Sequence, residues 1–149
     1  MARPKGARMA EDRQIMLIEC AGTLQDIRKA LKDLDANLAG DALPEGAVQD
    51  LGLVLTEAMT NIVRHGCPDG TGTITLRLSR TPRAIDCQII DDGAAFEPAH
   101  LGHAPPSPLD LPEGGFGWFI IRQLASQVCY RREGGCNMLR FSLPLRELS

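Results

Sequence analysis

The fifteen residues from Leu51 to His65, LGLVLTEAMTNIVRH, dictate a helix with two adjoining faces. At about 100° per residue, Leu51, Val54, Leu55, Ala58 and Ile62 form an apolar stripe. Glu57, Asn61 and His65, spaced four apart, form a polar stripe directly beside it. A helix divided in this way must lie against a second layer that covers its apolar side. Its polar stripe then borders the core instead of projecting into water, where a carboxylate and a carboxamide are costly unless something binds them.

The flanking sequence supplies that layer. Gln14 to Cys20 is a short apolar run, followed by Gly22 and Thr23, and Thr23 is placed to cap a helix over Leu24 to Leu38. Leu24, Ile27, Leu31, Leu34 and Leu38 recur there at three- and four-residue spacing, with Gly40 as a stop. Pro44 and Glu45 open the central helix, which ends around Gly66, Cys67, Pro68 and Gly70. The period then drops to two. Ile74, Leu76 and Leu78 alternate with polar residues, as do Ile85, Cys87 and Ile89, giving two strands joined at Arg80 to Arg83 with Pro82 in the turn. A third helix is expected over Phe116 to Val128, from Phe119, Ile120, Leu124 and Val128. Two closing strands, about Gln127 to Arg132 and Cys136 to Leu143, flank the turn Glu133-Gly134-Gly135. Without an internal repeat, the 149 residues fit one domain, with residues 1–13 as a polar tail. Gly93 to Gly115, with five prolines, four glycines and two histidines, is too long for an ordinary connection, and residues 94–114 are read as a lid.

Charge and cysteine usage exclude several classes. The formal charge of −3 and the lack of a dense basic block argue against direct nucleic-acid binding, and Arg3, Lys5 and Arg8 read as a solvated tail. Five cysteines, odd in number and without a CxxC pair, read as reduced thiols, with Cys87 and Cys129 in apolar stretches expected to be core. No apolar run resembles a signal peptide or nears the roughly 18 residues of a membrane span, so a cytoplasmic location without membrane attachment is expected. His100 and His103 lack the helix or cysteine partners of a zinc site, and Trp118 and Phe119 read as core anchors.

Three segments carry the chemistry. Glu57-Ala-Met-Thr-Asn61 lies on a helix, Asp91-Asp92-Gly93-Ala94-Ala95-Phe96 at a strand end, and Gly114-Gly115-Phe116-Gly117 at the opening of a helix. Mg²⁺ takes hard oxygen ligands and few of them from protein when phosphates are present, which suits the Asn61 amide oxygen as a single metal contact. Asp91 emerges where an apolar strand ends and can accept a hydrogen bond from an adenine amino group, and Gly93 allows close approach to the backbone. Asp92 competes for that role. Gly114, Gly115 and Gly117 lead unpaired N–H groups and a positive helix end toward an anion, for which triphosphate is the candidate. The P-loop spacing is absent, and the dinucleotide fingerprint would need a strand where the lid stands. His65 continues the stripe toward the phosphates, with an interaction at the helix C-terminus as its alternative role.

In this order the segments resemble the N, G1 and G2 boxes of the GHKL ATP-binding superfamily. More narrowly, they resemble its small serine/threonine kinases, the anti-sigma factors of partner-switching systems, over roughly Asp50 to Leu143. The resemblance assigns Glu57 as the general base that prepares a protein serine for attack on the γ-phosphate, and its D-x-G spacing picks Asp91 over Asp92. Ala95 stands where the wider family often has glycine, whereas Phe96-Glu97-Pro98 fits the anti-sigma branch. The last strands of the family commonly add a hydroxyl at the adenine, a role left here to Arg140 or Ser142.

The resemblance implies a two-layer α/β sandwich of the histidine kinase-like ATPase type, a mixed, mostly antiparallel sheet with three helices on one face. It further implies ATP and Mg²⁺ as cofactors and a STAS-type antagonist as phosphoryl acceptor. The sequestered target would be a sigma factor or another regulator, and the first strand and helix would form a homodimer interface. The alternative is a non-catalytic, nucleotide-dependent binding module that regulates a partner without phosphotransfer. A detached histidine-kinase catalytic domain fits less well, because the first helix offers no acceptor histidine.

Overall fold

Three central strands alternate between a helix-covered and an open side. The computed structural model describes residues 13–38, 43–67, 70–94 and 115–145. In chain order these form β1 (Arg13–Ala21), α1 (Leu24–Leu38), α2 (Glu45–Gly66), β2 (Thr73–Arg80), β3 (Ala84–Asp91), α3 (Gly115–Leu124), β4 (Ser126–Glu133) and β5 (Cys136–Pro144). The sheet order is β1-β2-β3-β5-β4. All four pairings are antiparallel, so the mixed, mostly antiparallel sheet expected from the sequence resolves without a parallel pair among the described residues.

The core lies between the helices and one sheet face. Ile74, Leu76 and Leu78 of β2, Ile85, Cys87 and Ile89 of β3, and Leu139, Phe141 and Leu143 of β5 are all buried there. The apolar stripe of α2 meets them with Leu51, Val54, Leu55, Ala58 and Ile62, joined by Ile27, Leu34 and Leu38 of α1 and Ile121 of α3. Burying each Leu or Ile contributes about 1.5–3 kcal/mol before entropy is charged against it. On the open face Arg77, Asp86 and Arg140 are exposed.

Local chemistry sets the boundaries. Thr23 caps α1, its Oγ1 accepting from the Asp26 N–H at 3.1 Å. At the β2–β3 turn the Thr81 N–H donates to the Ala84 carbonyl (2.9 Å) and the Ala84 N–H to Thr81 Oγ1 (3.0 Å). Gly134 and Gly135 both take positive φ, 62° and 80°, as a two-residue turn between paired Glu133 and Cys136 requires.

Two expectations are corrected. The third helix ends at Leu124 instead of continuing to Val128, which lies in β4. The backbone turns at Gln127 (φ 54°), and strand pairing is irregular between Ser126 and Cys129. Leu124 and Val128 both pack on the core, which reproduces helical spacing across a helix–strand junction. Cys129 is exposed, not core, because it pairs with Arg140 on the open face of an edge strand. All five cysteines are unpaired. Among the described residues, no helix is long and apolar enough to cross a membrane.

Candidate functional site

The strand alternation that builds the core also turns two polar residues inward at one end of the sheet. Counting by twos from Ile85, Cys87 and Ile89 reaches Asp91, and counting back from Leu143, Phe141 and Leu139 reaches Asn137. The two residues are direct partners in the β3–β5 register. Both are 1% exposed. Asp91 Oδ1 accepts from the Gly93 N–H and from Asn137 Nδ2, each at 2.9 Å. Burial raises the Asp91 carboxyl above the ordinary carboxylate range; the Asn137 and Gly93 hydrogen bonds oppose this, Asp92 adds to it and Arg132 opposes it.

Asp92 has a structural task instead. It is exposed, and its Oδ1 accepts from the Thr73 N–H at 2.8 Å, tying the start of β2 to the end of β3. A Cβ on Gly72, whose φ is +103°, would lie 2.9 Å from that oxygen.

Gly93 is required for a reason the sequence did not disclose. A Cβ there would collide with the Gly66 carbonyl, and the Ala94 N–H donates to that same carbonyl at 2.9 Å. The loop after β3 is thus pressed onto the C-terminal end of α2. Gly93→Ala is expected to destabilise the fold by about 1–3 kcal/mol through overpacking, read as a lower denaturant midpoint. An unchanged midpoint would show that the junction is slack.

This junction sets the C-terminal end of α2, the helix that carries the polar stripe, beside Asp91. A Cβ on Gly66 would stand 3.5 Å from Asp91 Oδ1, and Asn61 lies five residues earlier, roughly 7–8 Å along the helix axis. Asn61 is 2% exposed, and Glu57, one turn before it, is half-buried. The side chain of His65 falls outside the described residues, as do Ala95, Phe96, Gly114 and the 95–114 segment, which takes in His100 and His103. Gly115, Phe116 and Gly117 form the first turn of α3, which packs on α2. The N–H groups of such a first turn have no acceptor within their own helix.

Among the described residues, the buried side-chain polar atoms that lack a hydrogen-bond partner are Asn61 Nδ2 and Asp91 Oδ2. Buried polar atoms are nearly always satisfied, so two left open, one on α2 of the helix layer and one at the end of β3 in the sheet, make Asn61 and Asp91 the candidate ligand contacts. The two ends of a carboxamide exchange by a half-turn, so Asn61 can present an oxygen where Nδ2 stands.

The residues missed in the sequence are Asn137 and its supports. Tyr130 Oη donates to Asn137 Oδ1, and Arg132 Nη1 donates to the same oxygen at 2.9 Å. Arg140 and Ser142, considered for the adenine side, lie on the open face. Arg140 is exposed opposite Gln88, and Ser142 Oγ donates to Asp86 Oδ1 at 2.6 Å. The period of two already held this signal, since 140 and 142 alternate with the inward positions and 137 does not.

The sequence profile of the histidine kinase-like ATPase domain matches residues 20–143, which span every described element of this site. The chain belongs to that family. Within it, the chain is 26% identical over 119 residues to the serine-protein kinase RsbW of Bacillus cereus (strain AH820), covering 75% of this chain and 72% of the relative. It is 34% identical over 93 residues to the serine/threonine-protein kinase BtrW of Bordetella bronchiseptica, covering 60% and 65% respectively. Both relatives are named as protein kinases. Its fold matches that of a chain in the SiaB–SiaC complex of Pseudomonas aeruginosa, with a TM-score of 0.58, 14% identity and 95% of both chains covered.

ATP fits the donor set of this histidine kinase-like domain. Asp91 Oδ2 offers a base amino group a buried acceptor, and the first turn of α3 offers N–H groups suited to phosphate. Among the described residues, no group of three or more His, Cys, Asp or Glu side chains could hold a metal alone. The Asn61 amide, turned to present its oxygen, is a hard ligand of the kind Mg²⁺ takes beside phosphate oxygens.

Proposed function

We propose that the protein is an ATP-dependent serine/threonine protein kinase of a partner-switching system. It phosphorylates a serine of a STAS-type antagonist and sequesters a sigma factor or another regulator. The reading rests chiefly on the two unsatisfied buried groups, Asn61 and Asp91, which belong to the two segments that also carry the family resemblance. The kinase names of the RsbW and BtrW relatives support the same activity.

In this reading Asp91 binds the adenine amino group through Oδ2. Asn61 holds Mg²⁺, which neutralises phosphate charge when bound. The first turn of α3, from Gly115 to Gly117, receives the phosphates, with Gly114 and the 94–114 lid ahead of it and His65 on the phosphate side. Glu57 takes the proton from the attacking serine hydroxyl, a task that needs a carboxylate within hydrogen-bond reach. Phosphorylation then adds charge at the antagonist interface and releases it. A homodimer through β1 and α1 belongs to the same proposal.

The test mixes the full chain with a STAS-type antagonist and ATP labelled at the γ-phosphate. Labelled phosphoserine on the antagonist is the expected result. If ATP instead raises the melting temperature and strengthens partner binding while no phosphoprotein forms, the protein is a nucleotide-dependent binding module and the kinase assignment fails.

A further inference from the structure

Asn137 is occupied on every side. Its Nδ2 donates to Asp91 Oδ1 (2.9 Å) and the Ala94 carbonyl (2.9 Å), with the Gly93 carbonyl farther off at 3.4 Å. Its Oδ1 accepts from Tyr130 and Arg132. A carboxamide has two N–H donors and two acceptor lone pairs, so no capacity remains with which Asn137 could read a ligand directly. Arg132 Nη1 donates to the Gly93 carbonyl as well, at 3.0 Å. Edge strand β4 therefore grips both the amide and the backbone that follows Asp91.

The consequence falls on Asp91. The terminal torsion of a carboxylate is soft and nearly two-fold, so an unsupported Asp can rotate and average its oxygens. Here Oδ1 is held by two donors and Oδ2 by none. We propose that Asn137 is the positioning residue of the base pocket: gripped by Tyr130 and Arg132, it locks one oxygen of Asp91 so that the other is presented to a 6-amino group. This inference rests on the reading of Asp91 as the base-binding carboxylate. It adds that Tyr130 and Arg132 of β4, acting through Asn137, set the discrimination between a 6-amino and a 6-oxo purine.

The experiment titrates the full chain with ATP and with inosine triphosphate, which carries an acceptor oxygen in place of the amino donor, in the presence of Mg²⁺. Wild type prefers ATP. Asn137→Ala weakens ATP about tenfold, the scale of a hydrogen bond to a charged group, and brings the ATP-to-inosine-triphosphate affinity ratio toward one. Arg132→Ala moves the ratio in the same direction; Arg132 is exposed, so this variant keeps the test open if Asn137→Ala does not fold. Equal losses of both nucleotides, or an unchanged ratio in both variants, overturn the positioning role. If wild type does not distinguish the two nucleotides and Asp91→Asn leaves ATP affinity intact, the base-pocket reading itself falls, and this inference with it.

Discussion

Glu57→Ala is expected to bind ATP nearly as well as wild type yet to transfer phosphate to a STAS-type antagonist about 10²–10⁴-fold more slowly, the usual contribution of a positioned general base. Two features separate binding from chemistry at this position. Glu57 lies one helical turn before Asn61, on the side away from the Gly66–Asp91 junction, and it is only half-buried. Removing it would therefore leave Asn61 and Asp91, the proposed metal and base contacts, in place. Single-turnover transfer from labelled ATP reads the chemical step without product release. Transfer undiminished in Glu57→Ala would remove this carboxylate from the mechanism, and an equal loss of ATP affinity would make it a binding residue instead.

Asp91→Asn is expected to have opposite effects on stability and binding. The neutral isostere keeps an oxygen for the Gly93 and Asn137 donors and removes the cost of burying a carboxylate. Because burial raises the Asp91 carboxyl, the folded state holds its proton to higher pH than the unfolded chain does. Its contribution to stability is thus most favourable below the unfolded value and declines as pH rises through the raised one. At neutral pH the nucleotide-free variant should melt higher than wild type. Its ATP affinity should fall on the order of 100-fold, since an NH₂ donor would now face the amino donor of the base. Wild-type ATP affinity should in turn decline on acidification earlier than an ordinary carboxylate predicts. Asp92, which raises the group, and Arg132, which lowers it, are the charged neighbours that set where. A variant that binds ATP with full affinity, or melts lower than wild type without nucleotide, would contradict this assignment.

Much of this was legible in the residues. The spacing of Leu24 to Leu38 and the Pro44-Glu45 start gave the limits of α1 and α2, and alternation gave β2, β3 and the final hairpin. The end of an apolar strand points to the Asp91-Asp92 pair, the D-x-G spacing of the resemblance selects Asp91, and burial of its side chain follows from the strand alternation. Asn137 does not stand out in the sequence, because the family resemblance points to a hydroxyl on the last strands and because strand register, which sets Asn137 opposite Asp91, is a long-range property. In the sequence alone, Gly93 reads as access for a base. Its collision partner, the carbonyl of Gly66, lies 27 residues earlier and becomes a neighbour only when α2 docks on the sheet end. The junction of α3 and β4 was blurred because Leu124 and Val128 pack on one core from two kinds of backbone.

Calorimetric titration of the full chain with ATP and with GTP, each with and without Mg²⁺, is the most direct trial of a nucleotide site between Asn61 and Asp91. ATP should bind, more tightly with Mg²⁺ than without, and GTP, whose 6-oxo group faces the Asp91 carboxylate, at least about tenfold more weakly. Equal affinity for the two nucleotides, or no binding of either, would contradict it.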